Sequence, residues 1–264
     1  MFKTRVISAV SMLIIFFMSF FIFDPWAFIA LSSSVSIIAL YELARVLKLK
    51  LNQKIIFCAL SLSTFLYFYC FNISNINTIF FASLIFWFLF APLHILKKFL
   101  LPPSLKLFFG IILIIPLWSS ILWLFSLNKL FLLYIFVSIF IADIGAYIFG
   151  KKFGKHKLMH DVSPGKTIEG VLGALLLNFI FSFFLSFYVS IDPILLLSAS
   201  ILITIMSIFG DLYESLLKRL SGIKDSGSII PGHGGVLDRI DGFCPTLPLF
   251  ALIFNYSYVL GIIF

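Results

Sequence analysis

Runs such as FLLYIFVSIFI at residues 131–141, apolar on every side, set the first constraint on this chain. Nearly the whole sequence divides into such windows of about 17–23 residues, the length a helix needs to cross roughly 30 Å of hydrocarbon. In lipid every backbone amide and carbonyl must be satisfied within its own element, which leaves helices or closed barrels. Barrel strands are short and alternate apolar with polar residues, and these runs do not alternate. Only 11% of the residues are charged, against about 25% in soluble domains. The expected fold is therefore an all-α polytopic integral membrane protein.

The windows predict about nine transmembrane helices, over residues 6–23, 26–44, 54–71, 76–96, 107–125, 130–149, 168–189, 193–210 and 244–262. Numbering the intervening loops alternately gathers the basic residues on one side, from Lys3 and Arg5 to Arg239, with only Lys129 opposite. The positive-inside rule then puts the N-terminus and the long polar loops in the cytoplasm and the C-terminus outside. A net charge of +8 is explained by this arrangement, so no nucleic-acid partner is expected. The first run follows Met1–Arg5 closely, like a signal peptide. No small-residue cleavage site precedes Asp24-Pro25 and a second span comes at once, so it is read as a retained helix. Pro116 is expected to kink its span. Cys58, Cys70 and Cys244 have no metal-ligand spacing and imply no disulfide framework.

The chain divides into N-terminal helices over 1–125 and a C-terminal region over 126–264. The latter carries two cytoplasmic segments, 150–167 and 211–243. Asp143 lies inside a span, where a carboxylate is costly; it is either a structural ion pair or part of a site. In FGDLYESLLKR, Asp211, Glu214 and Lys218 share about one helical face. They form either an ion-laddered extension of the eighth span or a site, and Gly210 lets another backbone approach beside Asp211. In GHGGVLDRID, Gly232, Gly234 and Gly235 can expose amides to an anion. Asp238 and Asp241 stand one turn apart there, with Arg239 between them. Hard carboxylate oxygens suit Mg²⁺, which completes its octahedron with phosphates and water. His233 either donates to a phosphate or orders the loop, and no other His or Cys is spaced to make zinc with it. SPGKTIEG, residues 163–170, contains a GKT but lacks the upstream glycine of a Walker A motif. Pro164, Gly165 and Lys166 at the opening of a helical region can still cradle a phosphate. The nearby Lys151, Lys152, Lys155 and Lys157 either only set topology and touch lipid head groups or join in phosphate binding. No persuasive serine or cysteine nucleophile with its base is present. These groups together point to phospho-group chemistry at the cytoplasmic membrane boundary, without naming a donor.

The stretch SLLKRLSGIKDSGSIIPGHGGVLDRIDG, residues 215–242, closely resembles the signature of the phosphatidate cytidylyltransferases, also called CDP-diacylglycerol synthases. Ser215, Lys218, Arg219, Lys224, Asp225, His233, Gly234, Gly235, Asp238, Arg239 and Asp241 carry the match. Asp143 with Ala146-Tyr147, FGKHKL at 153–158, SPGKTIEG and GDLYES at 210–215 extend it over the C-terminal half. Ile144 is a small departure, since Ser or Thr often comes after the intramembrane aspartate in that family. The resemblance implies transfer of a CMP unit from CTP to phosphatidic acid in the cell inner membrane. It implies Mg²⁺, with a second cation such as K⁺ possible, and a homodimer. On this basis Asp211, Asp238, Asp241 and Asp143 are expected to hold the metal, and Lys218, Arg219 and Arg239 to clamp phosphates. Ser163, Lys166, Thr167, Glu214, Lys224, His233, Gly234 and Gly235 are expected to bind substrate. A CDP-alcohol phosphotransferase is the alternative enzyme, but its aspartates are spaced by four and it has an alanine-arginine pair that this chain lacks. A transporter or flippase would place polar groups through several spans, and most spans here carry no charge.

Overall fold

The computed structural model describes residues 2–53, 55, 57, 59, 76–189, 191–232 and 234–259. It is largely helical. Helix α1 is Phe2–Phe17, continued by a π-helical turn over Met18–Ile22, and α2 is Pro25–Val46. Between them Asp24 accepts from the Trp26 amide at 2.9 Å and Pro25 occupies the first helical position. That pairing of a capping carboxylate with a pre-set proline dihedral starts a helix efficiently. Helix α3, Ile76–Lys97, also contains a π turn, at Phe86–Phe90. Helix α4 spans Pro103–Phe153, α5 Ile168–Leu185, α6 Pro193–Leu220, α7 Leu237–Ile240 and α8 Phe243–Val259.

Five helices among the described residues are long and apolar enough to cross a membrane, fewer than the nine expected. They are Pro25–Val46, Ile76–Lys97, Leu105–Phe153, Ile168–Leu185 and Pro193–Leu220, with shorter apolar helices at Val6–Ile22 and Phe243–Tyr256. Two causes account for much of the difference. The expected span 54–71 falls almost wholly outside the described residues. The expected spans 107–125 and 130–149 form one helical run, broken where Asn128 adopts φ −152° and ψ 92°. An unbroken helix of that length would reach about 75 Å, far more than a bilayer's hydrocarbon. Asn128 also caps the second half of α4, its Oδ1 accepting from the Phe131 amide at 3.0 Å. The interruption thus falls at Asn128, and the helix continues through Pro116.

A further departure from an all-helical reading is a small antiparallel hairpin, β1 Lys157–Met159 with β2 Ser163–Thr167. SPGKT is therefore strand, and the helix opens only at Ile168. The side chain of Thr167 accepts from the Gly170 amide at 3.1 Å and caps α5.

The chain packs as two units, Met1–Trp123 with Leu217–Ile240, and Leu124–Leu216 with Asp241–Phe264. In the first, Phe16, Phe20 and Phe28 interlock at ring separations of 5.0–6.2 Å, and Phe86, Phe90 and Phe109 do likewise at 4.1–5.4 Å. The signature segment is tied to these N-terminal helices by Ser8 Oγ donating to the Pro231 carbonyl at 3.0 Å and Ser221 Oγ donating to the Val46 carbonyl. In the second unit Phe243 packs edge-on against Phe136 and Phe140. Polar groups also join its helices. Tyr134 Oη contacts Ser182 Oγ and donates to the Leu196 carbonyl, both at 2.9 Å, and Asn178 Nδ2 donates to Thr204 Oγ1 at 2.7 Å. Between apolar helices in lipid such bonds and close packing replace the missing hydrophobic drive.

Candidate functional site

In the second unit, α6 extends past its apolar stretch and carries Asp211 and Glu214, while the turn before α8 carries Asp241. One carboxylate oxygen from each lies within 4.8 Å of the others. Glu214 is buried, and the other two are half-buried. Gly210 permits the approach. A Cβ there would collide with the Asp241 carbonyl oxygen and come within 2.8 Å of Pro245 Cδ. Asp241 is further held by its Oδ1 accepting from the Gly242 amide at 2.8 Å.

Lys166, at the end of β2, is the counter-charge. Its Nζ lies 2.7 Å from Asp211 Oδ2 and donates to the Ile208 carbonyl at 3.3 Å. Ser215 Oγ approaches Asp211 Oδ1 at 3.4 Å. Burial first, then the charges of Asp211, Glu214 and Asp143, push Asp241 well above the ordinary carboxylate range, with Lys166 acting against them. Asp143 is exposed on α4 and bears on Asp241 through its charge. A partly buried cluster of hard oxygen donors whose own charge is unfavourable can hold a divalent cation. The residues present fit one.

In the first unit lies a separate polar cluster. Asp238, at the start of α7, is one-tenth exposed and accepts from Lys218 Nζ at 2.8 Å. It also accepts from the Gly235 amide at 2.9 Å and the Ser226 amide at 3.2 Å. One amide of the glycine-rich turn, that of Gly235, thus meets the chain's own Asp238, and the second amide comes from Ser226 at the other end of the loop. Asp238 was expected among the metal ligands and Glu214 among substrate contacts. In the structure Glu214 lies in the carboxylate cluster, and Asp238 accepts from a lysine and two amides.

The remaining expected residues differ in exposure. Arg219, Lys224 and Arg239 are exposed, Gly234 and Ser163 half-buried, and Gly235 buried. Thr167 is buried and serves as the α5 cap. His233 lies outside the described residues. Two carboxylates without a sequence-based role tie segments together. Glu169 accepts from the Lys155 and His156 amides at 3.1 and 3.2 Å and pairs with His156 Nδ1 at 2.6 Å, fastening the strand ribbon to α5. Glu42, inside α2, accepts from Ser226 Oγ and the Leu237 amide. The signal for Glu42 was available: a carboxylate within an apolar span is as costly there as at Asp143.

Comparison with known proteins adds a second line of observation. The sequence model of the Cytidylyltransferase family matches residues 3–257. A Haemophilus influenzae protein named phosphatidate cytidylyltransferase is 33% identical over 292 residues, covering 98% of this chain and all of that protein. Staphylococcal proteins of the same name match at higher identity over a shorter stretch. That of Staphylococcus haemolyticus is 46% identical over 125 residues, 47% of this chain and 48% of its own length. That of Staphylococcus aureus is 43% identical over 129 residues, 48% of this chain and 50% of its own.

Proposed function

Because the chain belongs to the phosphatidate cytidylyltransferase family, we propose that it transfers CMP from CTP to phosphatidic acid, giving CDP-diacylglycerol and pyrophosphate. An oxygen of the lipid phosphate attacks the α-phosphorus of CTP, and the bond from that phosphorus to the β-phosphate bridging oxygen breaks. The lipid phosphate has a second pKa of about 6 and is already largely ionised near neutral pH, so no strong general base is required. The difficulty is the mutual repulsion of two polyanions, together with the charge that grows on the departing pyrophosphate.

The observation that carries this reading is the cluster of half-buried Asp211 and Asp241 with buried Glu214, and Lys166 on its edge. These three carboxylates are the proposed Mg²⁺ ligands, with Asp143 adding negative charge nearby. Mg²⁺ would neutralise phosphate charge and stabilise the leaving group. Lys218, oriented by Asp238, and the exposed Arg219, Lys224 and Arg239 bind phosphate oxygens. Lys166 exchanges its Asp211 contact for a substrate phosphate. Ser163, Thr167 and the 234–235 backbone hold the surrounding loops in place, and His233 adds a donor. The protein works as a homodimer in the bacterial inner membrane, crossing it nine times with its N-terminus in the cytoplasm. A second cation such as K⁺ accompanies Mg²⁺.

The test is pyrophosphate release by purified, detergent-solubilised protein given phosphatidate, Mg²⁺ and each of CTP, dCTP, ATP and GTP. Release with cytidine nucleotides alone, lost in Asp211→Asn, is the expected result. Silence with every nucleotide from folded wild-type protein would overturn the proposal.

A further inference from the structure

Glu42 is 1% exposed, near the end of α2, and far in sequence from every group assigned a chemical role. Its Oε2 accepts from the Leu237 amide at 2.8 Å and from Ser226 Oγ at 3.1 Å. Its Oε1 has no hydrogen-bond partner among the described residues. A buried carboxylate held this way is expensive to keep in an apolar span. The signature segment is shaped around it. A Cβ on Gly235 would fall 2.5 Å from Oε2, and one on Gly227 would collide with Oε1. Glycine at these two positions makes room for a side chain contributed by α2.

The two donors to Oε2 stand at opposite ends of the 226–237 loop, so one oxygen closes it. The groups beside those donors hold Asp238. Ser226 gives its hydroxyl to Glu42 and its amide to Asp238, while Gly235, packed on Glu42, gives its amide to Asp238 as well. Asp238 in turn receives Lys218 Nζ at 2.8 Å. We infer that Glu42 is a positioning residue for the reaction: by clamping Ser226 and Leu237 it fixes Asp238 and, through it, the Lys218 ammonium. The inference rests on the proposed function for the role of Lys218 and goes beyond it in giving the N-terminal helices a part in the chemistry.

The test uses the full chain in detergent. Glu42→Ala is expected to lower kcat/KM for CTP by about 10- to 100-fold, the range in which residues behind a contacting group act. Glu42→Gln should recover most of that loss, because its amide oxygen still accepts both bonds. In a Lys218→Ala background the Glu42→Ala loss should shrink to about twofold, since the two act in series. A loss of full size in both backgrounds would mean a structural role only and would overturn the inference. Hydrogen–deuterium exchange over residues 223–240 reads the clamp without the reaction: about tenfold faster in Glu42→Ala, unchanged in Glu42→Gln. If wild-type protein shows this exchange pattern but no cytidylyl transfer, the proposed function fails and the clamp stands. If wild type is active and Glu42→Ala keeps its rate and exchange within about twofold, the clamp fails alone. Should Glu42→Ala not accumulate, Ser226→Ala removes one donor while keeping the amide on Asp238. A loss of about three- to tenfold is then expected, and no loss would overturn the inference.

Discussion

Lys166 Nζ stands 2.7 Å from Asp211 Oδ2, with the lysine side chain 20% exposed and the aspartate 40%. This lysine occupies an oxygen that the proposed metal would use, so it competes with the cation as well as balancing charge. Removing it should therefore separate two effects. Lys166→Met is expected to lower the Mg²⁺ concentration for half-activation several-fold, because a positive charge leaves the cluster. The same change should lower kcat by at least about tenfold, because a phosphate-binding ammonium is lost. Steady-state rates across a Mg²⁺ titration check both. A variant needing more Mg²⁺ would show that Lys166 organises the ligands and does not compete with the ion.

Glu214 and Asp238 should respond differently to neutralisation. Glu214 belongs to the carboxylate cluster, whereas Asp238 is engaged by Lys218 and two amides. Even partners behind metal ligands alter affinity by about 10–100-fold, and Glu214→Gln should raise the Mg²⁺ requirement at least that much. Asp238→Asn should depress turnover with the Mg²⁺ midpoint nearly unchanged. The same Mg²⁺ titration on both variants decides it. A large midpoint shift in Asp238→Asn would put that residue back among the ligands.

The raised affinity of Asp241 for its proton has a sign that can be measured. Burial and the Asp211, Glu214 and Asp143 charges favour the protonated form in the folded chain. Between the ordinary carboxylate pKa and the raised one, the folded state binds more protons than the unfolded state. Its stability contribution is therefore present at low pH and lost as pH climbs through that window. Without Mg²⁺ the unfolding midpoint should fall between about pH 5 and about pH 8, and Mg²⁺ should stabilise more at the higher value, where it has fewer protons to displace. Tryptophan fluorescence during heating in detergent reads this. Equal stabilisation at both pH values would break the link between proton and metal.

Local features of this fold were legible and distant ones were not. The apolar windows marked most helices, and the Asp211, Glu214 and Lys218 spacing marked the polar extension of α6, because both depend on neighbours within a few turns. Asp24-Pro25 announced its own turn. The break in α4 was legible too: the expected connection at 126–129 contains Asn128, whose side chain compensates the lost backbone bond, while the helix continues through Pro116. The ribbon at 157–167 was hidden because its pairing is fastened by Glu169 from the next helix. In the candidate site, the carboxylate types were readable. Which of them meet was not, since spacing could not distinguish Glu214 from Asp238. Glu42 illustrates the limit: its partners lie 184 and 195 residues away, so nothing adjacent in the chain explains it.

The buried Asn178 should prove a modest contributor to stability and irrelevant to turnover. Its Nδ2 donates to Thr204 Oγ1 at 2.7 Å, while its Oδ1 has no hydrogen-bond partner among the described residues. Asn178→Leu loses this bond and a longer one from Nδ2 to the Ser200 carbonyl at 3.4 Å, and relieves the unpartnered oxygen. Thr204 is not orphaned by the change, because its hydroxyl still donates to the Ser200 carbonyl at 2.8 Å. Interhelical bonds of this kind contribute on average about 0.6 kcal/mol and at most about 1.7, so the variant should lose no more than about 1 kcal/mol. Reversible unfolding in mixed micelles measures the loss, and the CTP assay should show wild-type turnover. A cost above about 3 kcal/mol would mean that leucine does not fit between α5 and α6. Lost activity with intact stability would mean instead that this polar seam takes part in the reaction.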